Sequence, residues 1–353
     1  MNKQKIVIWT KGIDNLCEGK GHVGGLTVQM MFWAFTFHKN NFQTFTFTEG
    51  QTRYFKGLNL LYFPQKMRLN FLFEIVYSIF YIIKIRPDII LFRGASRSLF
   101  LISHLSSLFR IKLIFMGASD VNFILGQENI PGRSYNKNLY RRGLKNTRYI
   151  VVQNDNQANS LMENYNKRSI SIPNIWEGSP RDNNDQELII WVGNFRKLKR
   201  PEWFINLAKK FPNQAFAMAG FPFDKKLHGE CVRLSEEIGN LSILGPIPFY
   251  ESEKLFNKAK ILICTSEYEG FPNTFLQAWS RNIPVLSTVD PSNIINNKQL
   301  GYCVKDEKDL FRKLNELLEN EDMVKTIQLN IFKYFNQSHN PIIHAKRLLK
   351  YIE

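Results

Sequence analysis

Glu269 and Gln277 stand on either side of a short loop and its helix: Gly270, Phe271, Pro272, Asn273 and Thr274 lie between them. An apolar run, Ile261–Cys264, and a polar turn, Thr265–Tyr268, come before. A helical pattern through Trp279 and a second apolar run, Pro284–Leu286, come after. That order reads strand, tight loop, helix, strand, one unit of a parallel α/β sheet. A loop opening such a helix presents backbone N–H groups and the positive end of the helix dipole, which together hold a phosphate. Gly270 lets the backbone approach a ligand closely, and Pro272 fixes φ where the helix begins. Glu269 and Gln277 then flank an anion site with hydroxyl-binding side chains. This suits a nucleotide sugar, with its diphosphate at the helix end and its hydroxyls on the flanking polar groups. The plainer reading is an ordinary βαβ turn with a solvated glutamate.

The stretch resembles family 4 of the retaining, GT-B fold glycosyltransferases. Their signature is a Glu, seven residues and a second Glu, written around E-G-F-P-N. The chain matches it from Glu269 to Asn273 and departs at Gln277, which keeps an acceptor oxygen but loses the charge. The resemblance implies that Glu269 contacts the donor sugar and Gln277 the ribose hydroxyls. It implies retention of anomeric configuration, and chemistry without a bound metal or cofactor. The chain has no Asp-x-Asp that would hold Mg²⁺ on a diphosphate.

Further loops fall where such an enzyme needs them. Gly19, Gly21, Gly24 and Gly25 follow the first strand candidate and precede a helix near Leu26. The resemblance assigns Gly24 and Gly25 to a loop reaching the donor phosphate, and neighbouring His22 reads as a solvated loop residue. After Leu188–Val192, four cations crowd into five positions: Arg196, Lys197, Lys199 and Arg200. Clustering at a strand's carboxyl end is phosphate-site chemistry. By resemblance Lys199 occupies the phosphate-clamping Lys position, whereas Asn194 stands at the usual Arg, and Arg196 is the substitute. Asp120, after the strand Lys112–Met116, either approaches the transferred sugar or acceptor or caps the next segment. Arg93, after another strand, is a candidate for an acceptor phosphate, and Gly245 and Ile247 for backbone contact with the nucleobase.

Charge is one-sided. Residues 1–175 carry 23 Lys and Arg against 9 Asp and Glu, a net of +14; residues 176–353 carry 24 against 22, a net of +2. A negative partner is expected for the first half. Without a zinc-finger spacing or an aromatic RNP-type motif, nucleic acid is the weaker choice and an anionic membrane surface the stronger. Lys56, Lys66, Arg68, Lys84 and Arg86 bracket the apolar segment Phe71–Ile83. That segment reads equally as a membrane-lying face or as a buried helix with solvated ends. Cys17, Cys231, Cys264 and Cys303 are too scattered for a metal site and read as reduced residues of a cytoplasmic protein. Met1–Lys5 runs directly into Ile6–Trp9, so no signal peptide is expected.

Strand and helix patterns alternate throughout, which gives an α/β fold: two Rossmann-like, doubly wound domains with ligands at strand carboxyl ends facing a central cleft. The expected boundaries are 1–175 for an acceptor-binding domain, 176–340 for a nucleotide-sugar-binding domain, and 341–353 for a helix crossing back to the first. Residues 177–186 read as the linker. The function implied is transfer of a sugar from a nucleotide diphosphate donor to a glycan or lipid-linked acceptor, in bacterial-type cell-surface polysaccharide synthesis, peripheral on the inner face of the cytoplasmic membrane. The alternatives are a catalytically silent GT-B partner subunit, raised by Gln277 and Asn194, and a basic nucleic-acid-binding protein.

Overall fold

A computed structural model of the chain describes residues 3–10, 16, 24–50, 52–63, 71–128, 130, 134–178, 187–269 and 271–353. The expectations placed on Cys17, Gly19, Gly21, His22, Lys66, Arg68, Gly270 and linker residues 179–186 lie outside these residues. The contacts divide the chain into two compact units, one of residues 1–175 with 341–353 and one of residues 176–340.

The first unit alternates β1 (Lys5–Trp9), α1 (Gly25–Lys39), β2 (Gln43–Thr48), β3 (Tyr54–Phe55), β4 (Leu58–Tyr62), α2 (Phe71–Ile85), β5 (Ile89–Arg93), α3 (Ser98–Leu108), β6 (Lys112–Met116), α4 (Ser134–Asn146), β7 (Tyr149–Val152), α5 (Asp155–Tyr165) and β8 (Ile170–Ser171). The strand order is β3-β4-β2-β1-β5-β6-β7-β8. Pairing is parallel except between β3 and β4. Every residue of β5 is buried, as expected of a parallel strand covered on both faces. Alternate residues divide between two cores. Ile90 and Phe92 pack with Tyr81 and Ile82 of α2 and Leu99 and Ile102 of α3. Ile89 and Leu91 pack with Met30, Trp33 and Phe37 of α1.

The second unit runs β9 (Leu188–Val192), α6 (Pro201–Lys210), β10 (Ala215–Ala219), α7 (Lys225–Glu236), β11 (Leu241–Ile243), α8 (Phe249–Asn257), β12 (Ala259–Cys264), α9 (Asn273–Trp279), β13 (Val285–Ser287), α10 (Ile294–Lys298), β14 (Gly301–Cys303), α11 (Glu307–Glu319) and α12 (Glu321–Ser338). Its strands are all parallel, in the order β11-β10-β9-β12-β13-β14. The last helix, α13 (Pro341–Ile352), belongs to the first unit, burying Ala345, Leu348 and Ile352 against the α1 side of its sheet.

In each sheet the chain starts near the middle, builds one way, then returns to build the other. The reversal falls between β1 and β5 in the first unit and between β9 and β12 in the second. In doubly wound sheets ligands sit outside the carboxyl ends of the strands at that switch point.

The α2 helix is turned against its composition. It buries Glu74 and Ser78 and exposes Leu72, Phe73, Val76, Phe80 and Ile83. The Glu74 carboxylate accepts a hydrogen bond from Ser98 of α3, which anchors a polar residue under an outward apolar stripe.

Candidate functional site

The switch point of the second unit lies between the loops that carry Lys199 and Glu269. Backbone and side chains stitch these loops together. Trp191 Nε1 donates to Thr265 Oγ1 at 3.1 Å, and that hydroxyl donates to the Lys199 carbonyl at 2.6 Å. Arg200 takes a left-handed backbone (φ 44°) at the start of α6, and its Nε and Nη2 donate to the Thr265 and Ser266 carbonyls at 2.7 and 3.1 Å. Arg200 is therefore a brace. Its neighbour Lys197 is exposed, so the four-cation cluster resolves into different tasks.

Lys199 Nζ makes an ion pair with Glu269 Oε1, which also accepts from Ser266 Oγ at 2.8 Å. Each charged side chain keeps about one fifth of its surface open, 20% and 19%. The structure thus joins the two residues the sequence singled out separately. Ser266, which sequence reasoning missed, holds the carboxylate; its polar position just after a strand was the available signal. Cys264 lies beside the pair. Burial, reinforced by the Glu269 carboxylate, pushes its thiol up and keeps it protonated.

Arg196 stacks on Phe223. Its guanidinium lies 3.4 Å from the centre of the Phe223 ring, beyond β10, and its Nε is buried with no partner. The β9, β10 and β11 ends are packed backbone on backbone. Gly193 N donates to the Ala219 carbonyl and Gly220 N to the Gly245 carbonyl. A Cβ at Gly220 would stand 1.6 Å from the Gly193 oxygen, so only glycine fits there. Gly245 has φ +66°, a left-handed turn that also favours glycine, and Ile247 beyond it is half-buried.

The α9 helix starts at Asn273 with Pro272 as its cap, and Thr274 is half-buried. Phe271 packs on Trp279 and His339, with ring centres 6.1 and 5.7 Å apart, which anchors the loop to the unit's own core. Gln277 is buried, and its Nε2 donates to Ser252 Oγ at 3.0 Å and Glu253 Oε1 at 3.3 Å of α8. Glu253 in turn pairs with buried Arg281. The amide is thus committed to a packed polar network.

In the first unit, Gly24 and Gly25 are exposed at the start of α1, with Gly24 as an N-cap lacking a side-chain bond. Asp120 is not the cap of its turn: Ser119 is, in a reciprocal box with Asn122. The Asp120 carboxylate accepts from Gln157 Nε2 at 2.9 Å and Asn154 Nδ2 at 3.3 Å, which fixes its orientation.

With this geometry in view, residues 174–333 match the family described as Glycosyl transferases group 1. Over that stretch the chain is similar to a glycosyltransferase domain. An uncharacterized glycosyltransferase of Methanocaldococcus jannaschii is 25% identical over 258 residues, 61% of this chain and 60% of that protein, so the chain spans about three fifths of that relative. Among solved structures, sucrose-phosphate synthase from Thermosynechococcus elongatus superposes with TM-score 0.73 at 13% identity, covering 99% of this chain and 98% of that one. A glycosyltransferase from Rickettsia africae gives 0.73 at 15%, covering 99% and 98%. WaaG, a glycosyltransferase involved in lipopolysaccharide biosynthesis, gives 0.70 at 14%, covering 98% and 99%. The fold is the GT-B arrangement of two parallel-sheet domains.

Proposed function

We propose that the protein is a retaining, family 4 type glycosyltransferase that moves a hexose-type sugar from a nucleotide diphosphate donor to a glycan or lipid-linked acceptor. The observation that carries this reading is the Lys199–Glu269 pair, held by Ser266 at the switch point of a group 1 domain. In the reaction the bond from the anomeric carbon to the diphosphate oxygen breaks, and its electrons leave with the nucleoside diphosphate. The acceptor hydroxyl bonds to that carbon and passes its proton to the departing diphosphate oxygen. The protein's task is to stabilise the leaving charge and position the sugar. Lys199 is the cation nearest that task, with Arg196 swinging from Phe223 to join it. Glu269 exchanges Lys199 for a sugar hydroxyl when the donor enters. No resident metal or cofactor has a part in this reading.

Titration calorimetry with UDP, GDP and ADP tests it. One of them binds, and Lys199→Ala weakens that binding by about 1.5–3 kcal/mol, ~10- to 150-fold, the worth of a charge-assisted contact. Arg196→Ala has a similar effect. Unchanged nucleotide affinity in the double variant would reduce the loop to a solvated basic turn. The commitment of Gln277 to Ser252 and Glu253 favours one rival, a catalytically silent partner with no ribose contact at this position. Slow donor hydrolysis by the purified protein separates the two.

The reading includes attachment to the inner face of the cytoplasmic membrane, in cell-surface polysaccharide synthesis. No helix among the described residues is long and apolar enough to cross a membrane. Support comes from the α2 stripe, where Leu72, Val76, Phe80 and Ile83 are 69, 61, 51 and 52% exposed. Lys84 and Arg86 lie at its end, in the half of the sequence that carries +14. The full chain is expected to sediment with phosphatidylglycerol vesicles and less so as salt rises. Replacing Phe80 and Ile83 by Ser lowers the partition constant about tenfold or more, through lost apolar burial. Equal sedimentation of the variant, or none by the parent, defeats the membrane assignment.

A further inference from the structure

We propose that the first unit holds a second anion site, a phosphoryl-binding position built on Arg93 at the carboxyl end of β5. The site lies at that unit's own switch point, between β1 and β5. Arg93 is the last residue of β5, and the two-residue period of a strand puts it on the same face as Ile89 and Leu91. Those two pack against α1, so the Arg93 side chain leaves the sheet on the α1 side, at the end where α1 begins. The next residue, Gly94, confirms the closeness: a Cβ there would lie 2.8 Å from Leu26 in the first turn of α1.

The guanidinium is unusual in having so little to neutralise it. Arg93 is 8% exposed. Nη2 donates to the neutral Asn174 side chain at 2.6 Å, while Nε is buried with no partner. Among the described residues no carboxylate pairs with it. Arg281 and Arg141 are treated differently, being paired with Glu253 and Glu128. Burial pushes the Arg93 guanidinium down to about 10, so it still carries its charge at neutral pH. The start of α1 adds positive potential: among the described residues no side chain caps Gly24, and no acid stands in the first turn. A buried charge without a counter-ion takes a large share of a domain's marginal stability, and persists where a ligand supplies the missing partner. A buried guanidinium with an unpartnered Nε beside the positive end of a 15-residue helix suits a phosphoryl group. Two sources share that chemistry, the phosphate of an acceptor and the diphosphate of a donor; either choice rests on the transferase reading, whereas the anion site itself does not.

The test uses the full chain in the Lys199→Ala background, which removes the principal cation of the other unit. Inorganic phosphate at tenfold its dissociation constant and fixed ionic strength is expected to raise the melting temperature by about 3 °C. Adding Arg93→Met abolishes that rise and leaves the phosphate-free melting temperature the same or higher, because an uncompensated charge is no longer buried. An undiminished phosphate response with a lower melting temperature overturns the proposal and makes Arg93 a brace for Asn174. Should Arg93→Met not fold, Arg93→Lys decides: the response drops with the lost fork geometry if the proposal holds, and an unchanged response overturns it. Calorimetry with the nucleoside diphosphate then assigns the source. Affinity unchanged by Arg93→Met in an otherwise native chain points to an acceptor phosphate, and a tenfold or greater loss points to the donor. If no nucleotide binds the native chain, the transferase reading fails while the phosphate result stands.

Discussion

Glu269→Ala is expected to lower sugar transfer by about 100- to 1,000-fold, the scale on which a preorganised group at a reacting centre acts. The residue sits in a loop outside the apolar core, about one fifth open, and its partners are the Lys199 ammonium and the Ser266 hydroxyl. Removing it leaves Lys199 free to meet a phosphate, so nucleoside diphosphate affinity falls little while turnover collapses. Glu269→Gln keeps the size and one acceptor oxygen but loses the charge, and is expected to recover only part of the rate. The fold survives in both, since a partly exposed ion pair contributes modestly to stability. Release of nucleoside diphosphate in the presence of acceptor, beside a thermal melt, measures the two quantities separately. Turnover like that of the parent, in a protein that melts normally, would falsify the sugar-contact role.

Much of the second unit was legible because its strands are short continuous apolar runs closed by turn residues. Leu188–Val192 reads from sequence with the ends it has in the structure, as does Lys112–Met116 in the first unit. The pattern failed where helices are polar. The α5, α7, α8 and α12 helices, the last with 18 residues, escaped notice because their buried positions are few: Cys231 alone in α7, and Ile327, Ile331 and Phe335 in α12. The two-residue β3 with its partner β4, and β14, whose Gly301–Cys303 forms no apolar run, were not read. For α2 the sequence could not choose a buried face, because apolar residues surround the helix. One long-range bond, Glu74 to Ser98, helps make the choice. The same reason hid the surroundings of Gln277. They depend on α8, and nothing local to Gln277 announces Ser252 or Glu253.

Those surroundings reverse what the signature suggests for Gln277→Glu. Restoring the family's second glutamate looks benign on paper, and by resemblance alone the variant would be as active as the parent or more so. In the structure the Gln277 amide nitrogen is a donor to the Glu253 carboxylate, 3.3 Å away, in a buried position. The substitution turns that donor into an acceptor and sets two carboxylates against each other. Arg281 is already engaged with Glu253, Asn257 Oδ1, the Gln277 carbonyl and Ser280 Oγ, so it compensates only in part. A cost of about 2–4 kcal/mol at pH 7 follows from burying a charge without its own partner. That is a melting temperature lower by roughly 5–10 °C in a unit of this size. The sign of the pH dependence is fixed by the same repulsion. The introduced carboxyl holds its proton more tightly in the folded chain than in the unfolded one, whose reference lies near ~4.3. Below that value both states are protonated and the variant matches the parent; as pH rises through the raised folded value the deficit opens and then levels. Melts from pH 4 to pH 8 check this. Combining Glu253→Gln with Gln277→Glu exchanges the donor and the acceptor across the same contact, and is expected to return most of the loss. A single variant as stable as the parent at pH 7, and more active, would mean that the side chain at 277 turns from α8 to the ligand.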